Sequence, residues 1–190
     1  CGGRVMSDVL RRVMGMMATR TYATWNPADK NAAVTLSGGN LVAACTATNS
    51  AVRATVGKSS GQWYWEVTLS GMGYWFLGVA NTTQSLSGYL GTPNSTGVQS
   101  NDYYYNSSTG DTGTGYTLGS GDVIGFGLDA DAKTLKMYQN SVLRITIGSV
   151  QAGVVYPAVS GYNGTEVYTA NFGATPFVYN PLPAYNQGIF

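Results

Sequence analysis

In GDVIGFGLDADAKTLKMYQN, residues 121–140, Ile124, Phe126 and Leu128 alternate with Val123, Gly125, Gly127 and Asp129. A period of two marks a strand with one buried face, because successive side chains point to opposite sides of a sheet. Residues 129–134 are a polar break. Leu135, Met137 and Tyr138 then resume apolar character up to Asn140-Ser141. The stretch reads as two strands and a turn. Gly125 and Gly127 fall on the face opposite the apolar triad. Bare glycines weaken a strand unless something packs close to its backbone. A second sheet or a crossing loop over that face is therefore expected.

Strand-like segments lie on both sides of it. In 61–69, GQWYWEVTL, Trp63, Trp65 and Val67 share one face, and Tyr64, Glu66 and Thr68 the other. Two tryptophans on one face point to the core of a sandwich, since each large ring buries about 150–250 Å². Glu66 is the one acid among these aromatics. It reads as a structural carboxylate bonded to Arg53 or to a backbone amide. Within 71–81, the consecutive Tyr74, Trp75, Phe76 and Leu77 have the pattern of a strand buried on both faces. Residues 33–36 and 41–46 read as a hairpin around Ser37-Gly38-Gly39-Asn40. Further strands are expected at 52–56, 103–105, 143–147, 154–159 and 166–172, with a tight turn at 161–164, GYNG. Residues 24–31, TWNPADKN, read as a linker and turn, because Asn-Pro and Asp favour turns. Pro181 and Pro183 make the tail from 176 extended, and it is expected to lie across the sandwich.

Several of these segments, in this order, resemble the SPRY domain. GDVIGFGLD followed by TLKMYQN is similar to its central hairpin. GQWYWEVTL is similar to its Trp-Tyr-Trp-Glu strand, and WFLGVAN at 75–81 to the strand after it. Tyr156-Pro157-Ala158-Val159, then Asn171-Phe172-Gly173 and Pro176-Phe177, resemble its C-terminal signature. The resemblance covers roughly residues 32–185, and Asn140-Ser141 stands where the family usually has Asn-Gly. It implies an all-β fold: an antiparallel two-sheet β-sandwich of jelly-roll-like arrangement, with Glu66 structural. It also implies the work of many members, intracellular adaptors that grip a short peptide. WNPADKN…LSGGNL and VRATVGKSSGQWYWEV look more like bacteriophage virion accessory chains, such as tail-fibre or capsid-decoration proteins.

Charged residues make up 10% of the 190, against roughly 25% in an average globular protein. Gly, Ser, Thr, Asn and Tyr take their place, a composition that suits an all-β chain with many turns. The net charge of +1 argues against a general nucleic-acid binder, which needs clustered Lys and Arg to displace counterions. The charge is uneven. Residues 1–20 hold Arg4, Arg11, Arg12 and Arg20 against Asp8 alone. The two cysteines, Cys1 and Cys45, form neither a disulfide framework nor a zinc site, and Cys45 reads as a small buried apolar residue. No stretch approaches the ~20 apolar residues of a membrane span, and no signal peptide is visible.

In residues 4–18, Val5, Met6, Val9, Leu10, Val13, Met14 and Met17 recur at spacings of three and four. The spacing predicts a short amphipathic N-terminal helix. Three roles are open to it: an extension docked on its own domain, an assembly or anchoring helix, and a basic membrane-surface or targeting segment. The expected organisation is a helical anchor or extension at 1–23 and the sandwich, with its extended tail, at 24–190.

Histidine is absent, which removes the commonest general base and the Ser-His-Asp and Cys-His nucleophiles. No phosphate loop or dinucleotide fingerprint is present. A glycosidase would need two carboxylates about 5–10 Å apart across a cleft. The candidates are Asp102 and Asp111 in the loop region, Asp122 at a strand start, Asp129 and Asp131 in a turn, and Glu66 and Glu166. No catalytic residue, metal or cofactor is expected. Residues 82–120 instead place Tyr89, Tyr103, Tyr104, Tyr105 and Tyr116 among Gly, Ser, Thr and Asn. That mixture suits recognition, with rigid amphipathic rings beside adaptable hydrogen bonders, and it equally suits rings that cap the sandwich ends. Tyr89, Tyr103, Tyr105, Tyr116, Tyr162 and Asn163 are the candidate ligand contacts. The function expected is a non-catalytic recognition or display module on a virion. The N-terminal segment would face other virion proteins or further copies of itself, and the loops a host-surface glycan or protein. An intracellular peptide-binding adaptor and a carbohydrate-active enzyme are the alternatives.

Overall fold

The computed structural model describes residues 20–106, 109–112 and 115–190. Its strands in chain order are β1 (Trp25–Lys30), β2 (Val34–Ser37), β3 (Val42–Cys45), β4 (Ser50–Ala54), β5 (Gln62–Gly71), β6 (Trp75–Ala80), β7 (Ser95–Gln99) and β8 (Tyr103–Asn106). They continue with β9 (Thr109–Thr112), β10 (Val123–Asp129), β11 (Thr134–Gln139), β12 (Val142–Ile147), β13 (Tyr156–Gly161), β14 (Glu166–Asn171) and β15 (Asn186–Gln187). The first sheet runs β1-β4-β13-β6-β7-β8-β9, and the second β12-β11-β10-β5-β14-β3-β2. Every pairing is antiparallel except β15, which lies parallel to the start of β5.

The period-two reading of 121–140 holds. β10 pairs β11 from Ile124↔Gln139 to Asp129↔Thr134, and β5 on its other side from Val123↔Thr68 to Asp129↔Gln62. Ile124, Phe126 and Leu128 join Trp65, Val67, Leu69, Leu135 and Met137 in the core between the sheets. Trp65 stacks on Phe126 at 5.3 Å. Asn140 and Ser141 both take positive φ, 50° and 73°, the backbone of a two-residue hairpin turn without the usual glycine.

The glycine face is covered as expected, by the tail. A Cβ on Gly127 would stand 2.3 Å from Leu182 Cδ1, and one on Gly125 2.4 Å from the Tyr64 hydroxyl. Glu66, fully buried, accepts hydrogen bonds from Val178 N (2.8 Å), Tyr179 N (2.8 Å) and Tyr64 Oη (3.0 Å). Its partners are therefore backbone amides and a tyrosine, while Arg53 pairs with Asp29. Burial pushes the Tyr64 hydroxyl well above the ordinary tyrosine range, and the Glu66 charge and hydrogen bond push it the same way. The tail ends with Ile189 fully buried, its N–H bonded to Phe172 O at 2.9 Å.

Two expectations are corrected. The fold is an all-β two-sheet sandwich with no helix among the described residues. The helix expected over 4–18, with Val5, Met6, Val9, Leu10, Val13, Met14 and Met17, lies outside the described residues. Residues 25–30 are a strand, not a linker. β1 is an edge strand whose register slips between Trp25↔Ala54 and Lys30↔Val52. That bulge accommodates Pro27, which has no N–H to give to a ladder. Ala23 is also buried, with its N–H bonded to Ile189 O at 2.7 Å.

Candidate functional site

The outer face of the first sheet carries an open groove of about 380 Å³, lined by Tyr74, Phe76, Tyr89, Gln99, Tyr105 and Tyr162. Alternation on β6 sends Leu77 and Val79 into the core and Phe76 outward. Phe76 is the hub. Its ring lies 5.1 Å from Tyr89, 6.2 Å from Tyr162 and 6.3 Å from Tyr105. Tyr74 meets Tyr162 edge-on at 5.9 Å, and Tyr89 meets Tyr105 at 6.3 Å. The rings come from four segments far apart in sequence. Two wider hollows, of about 430 and 530 Å³, lie by Tyr104 and by Tyr22 and Phe177, and neither gathers more than two rings.

Each wall has its own support. Loop 81–94, which carries Tyr89, is latched by buried Arg53. Its Nη1 donates to Asn81 O (3.1 Å) and Gln84 O (2.8 Å), while Nε and Nη2 form a two-pronged pair with Asp29, both at 2.7 Å. Leu90 N donates to Ser160 Oγ at 3.0 Å, which ties the loop to β13. Tyr105 packs over Gly91, where φ is +117° and a Cβ would come 2.7 Å from the ring. Its hydroxyl donates to Gln99 Oε1 at 3.2 Å, and burial raises its pKa above the ordinary tyrosine value. Beneath the groove, Tyr168 reaches across from the second sheet. Its hydroxyl donates to Ser160 O (2.6 Å) and accepts from Phe76 N (3.2 Å).

A sequence model of the SPRY domain matches residues 62–175, more than half of the chain. The chain belongs to the SPRY domain family. SPRY domains mediate protein–protein interaction, as binding modules for proteins or peptides. Among solved structures, this SPRY domain is similar to that of human HERC1 (TM-score 0.68, 18% identity, 80% of this chain and 99% of that one). It is similar to the TRIM65 PSpry domain (0.67, 18%, 87% and 98%). It also matches stonustoxin (0.66, 23%, 80% and 27%), so it spans about a quarter of that chain. At these identities the likeness is one of fold. No curated protein matches the sequence.

In this SPRY domain, three of the expected contacts, Tyr89, Tyr105 and Tyr162, come together in the groove. Tyr103 lies on the same face of β8 as Tyr105, two residues away, and is 42% exposed. Asn163 is exposed at the tip of the neighbouring turn. Tyr116 does not reach this surface. It is 2% exposed within the core, with its hydroxyl bonded to Tyr103 O at 2.7 Å. Tyr74, Phe76, Gln99 and the supporting Arg53 were not singled out as site residues. The alternation of 74–80 contained a signal, since it puts Tyr74 and Phe76 on one side and Trp75, Leu77 and Val79 on the other.

Three of the acids considered for chemistry, Asp102, Asp122 and Asp129, are engaged in hydrogen bonds. Asp102 accepts from Gly115 N and Tyr116 N, and Asp122 from Gly119 N and the Gln139 and Asn140 side chains. Asp129 accepts from Ala132 N and Gln62 Nε2, and these bonds hold its carboxyl below the ordinary aspartate range. Among the described residues, no group of three or more His, Cys, Asp or Glu is placed to hold a metal, and no helix is long and apolar enough to cross a membrane.

Proposed function

We propose that this SPRY domain is a non-catalytic recognition module, and that the aromatic groove grips an uncharged segment of a partner protein. One observation carries the reading: five rings from separated segments converge on an open face that the described residues leave uncovered. Soluble proteins seldom expose such a surface unless something binds there. The groove is lined by tyrosines, one phenylalanine and one glutamine, with no charged side chain. Its match is a neutral peptide whose aromatic, proline or amide side chains lie against the rings and bond to the hydroxyls and to Gln99. The absence of histidine and the hydrogen bonds that occupy Asp102, Asp122 and Asp129 support a non-catalytic role.

The setting we propose is the surface of a virion facing a host. The low charge and the Gly-, Ser-, Thr-, Asn- and Tyr-rich composition support it. On a multi-copy particle, weak grooves add up through avidity.

The test is a random peptide library selected on the full chain and, in parallel, on a Tyr105→Ala/Tyr162→Ala variant, with a glycan array probed by both. The expected result is a neutral peptide consensus whose affinity falls about tenfold or more in the variant. A consensus that binds both proteins equally would sink the groove as the site. Glycan hits lost in the variant, without a peptide consensus, would replace the protein ligand with a sugar.

A further inference from the structure

We propose that Glu166 is the positioning residue of the aromatic groove. It is a buried carboxylate that sets the Tyr74 and Tyr162 wall by gathering backbone N–H groups from both segments. The inference rests on the groove being the binding site.

Glu166 is the first residue of β14 and is fully buried. Its Oε1 accepts from Tyr74 N (3.2 Å), Tyr162 N (3.1 Å) and Asn163 N (2.7 Å). Its Oε2 accepts from Gly164 N (2.9 Å) and Thr165 N (3.0 Å). All five of these partners are backbone N–H groups, and no basic side chain is among them. A turn of successive N–H groups that converge on one point is a ready-made anion site. Here the protein supplies the anion itself.

Three glycines let the backbone close around the carboxylate. A Cβ on Gly73 would stand 2.5 Å from Oε1 and one on Gly161 2.7 Å from Oε2, while Gly164 adopts φ +79°. The two residues whose rings form one wall, Tyr74 and Tyr162, therefore both bond through their N–H groups to the same oxygen. The opposite wall, Tyr89 and Tyr105, is held by Arg53, Ser160 and Gly91 and has no bond to Glu166.

A carboxylate is the one side-chain group of this size that only accepts. Glutamine at 166 would turn an NH₂ toward two or three of the same N–H groups, so part of the set must come apart while the shape is kept.

The test begins with the free wild-type protein, so it needs no ligand. Asn163 is exposed, and an ordinary exposed turn amide exchanges rapidly with solvent. Bonded to Glu166, the Asn163 and Gly164 amides should exchange about 100-fold slower than that. Exchange at unprotected rates would overturn the inference, whether or not any variant folds.

In Glu166→Gln, NMR should show faster exchange at Tyr162, Asn163, Gly164 and Thr165. Tyr74 and Tyr162 ring signals should shift, while those of Tyr89 and Tyr105 stay in place. Binding of the peptide selected on the wild-type groove should weaken about tenfold. A folded Glu166→Gln with the Tyr74–Tyr162 wall unmoved would overturn the inference. If that wall moves as expected while the library yields no groove-dependent peptide, the proposed function falls and the positioning role stands.

Discussion

The two outer faces of the sandwich are built from the same materials and end differently. Each carries tyrosines and lies beside a fully buried glutamate bonded to the segments that surround it. On the second sheet, Glu66 takes the amides of Val178 and Tyr179, and the tail lies down over Tyr64 and Gly127. At the first sheet's outer face, Glu166, supplied by β14 of the second sheet, takes the amides of Tyr74 and of 162–165, and the segments stop at the rim of a groove. The same device, a buried anion bonded to backbone N–H groups, closes one face and holds the other open. An aromatic face covered by its own chain is core. One that the described residues frame and leave uncovered is the binding surface we propose.

The sharpest way to break this contrast is to remove the cover. A chain ending before Pro176 exposes Tyr64, removes the Val178 and Tyr179 amides from Glu66 and leaves Phe172 O without the Ile189 N–H. Apolar burial is worth about 1.5–3 kcal/mol per large side chain, and the tail contributes several, so no cooperative thermal transition is expected. A normal melting curve would show that the tail is not part of the fold.

The next largest effect is Glu66→Ala. It strands two amides and the Tyr64 hydroxyl, at about 1–3 kcal/mol each when they stay buried, so urea denaturation should show a loss of about 3 kcal/mol or more. A loss under about 1 kcal/mol would mean that water replaces the carboxylate and that this face is less sealed than the contacts imply.

A third test uses pH between the faces. Cys45 packs beside Gly161, and burial pushes its thiol up from an ordinary 9.0 to about 11. Below pH 9 the thiol is protonated in both the folded and unfolded chains. Above it the unfolded chain releases a proton that the folded chain keeps, so stability falls as pH rises towards 11. The loss from this one group should be on the order of 2–3 kcal/mol, and Cys45→Ala should flatten that part of the pH–stability curve. An unchanged alkaline slope in the variant would assign the loss to the buried tyrosines instead.

On the open face, Tyr162→Ala should cost less than ~1 kcal/mol of stability, since the ring is 46% exposed, yet weaken the selected peptide about tenfold. A large stability loss would make the ring a structural cap. Smallest of all should be the effect of salt. With no charge in the groove, affinity should change less than about twofold between 50 and 500 mM salt, because only charge–charge attraction is screened.

Some of this was readable from local pattern. Ile124, Phe126 and Leu128 declare their face by alternation, and Trp63, Trp65 and Val67 declare theirs. The bareness of Gly125 and Gly127 implied a cover, and the prolines of the tail suggested what it is. β1 was misread because turn-forming residues at an edge can be absorbed in a bulge, and edge strands tolerate a missing N–H. Glu66 was placed with amides or with Arg53, and nothing local separates the two, since Arg53 finds Asp29 only once β1 lies against β4.

The groove divides along the same line. That tyrosines among Ser, Gly and Asn would serve recognition, and that Tyr89, Tyr105 and Tyr162 were candidates, followed from side-chain chemistry. Tyr116 has the same chemistry and is core, because its hydroxyl found Tyr103 O inside the fold. Alternation, turn residues and charge content are properties of neighbours along the chain, and they fixed the all-β sandwich and its inner faces. Which rings meet, which face is left open and which carboxylate holds the rim depend on pairings between residues up to 92 apart, as between Tyr74 and Glu166. No local pattern encodes those distances, and they exist only once the two sheets have closed on each other.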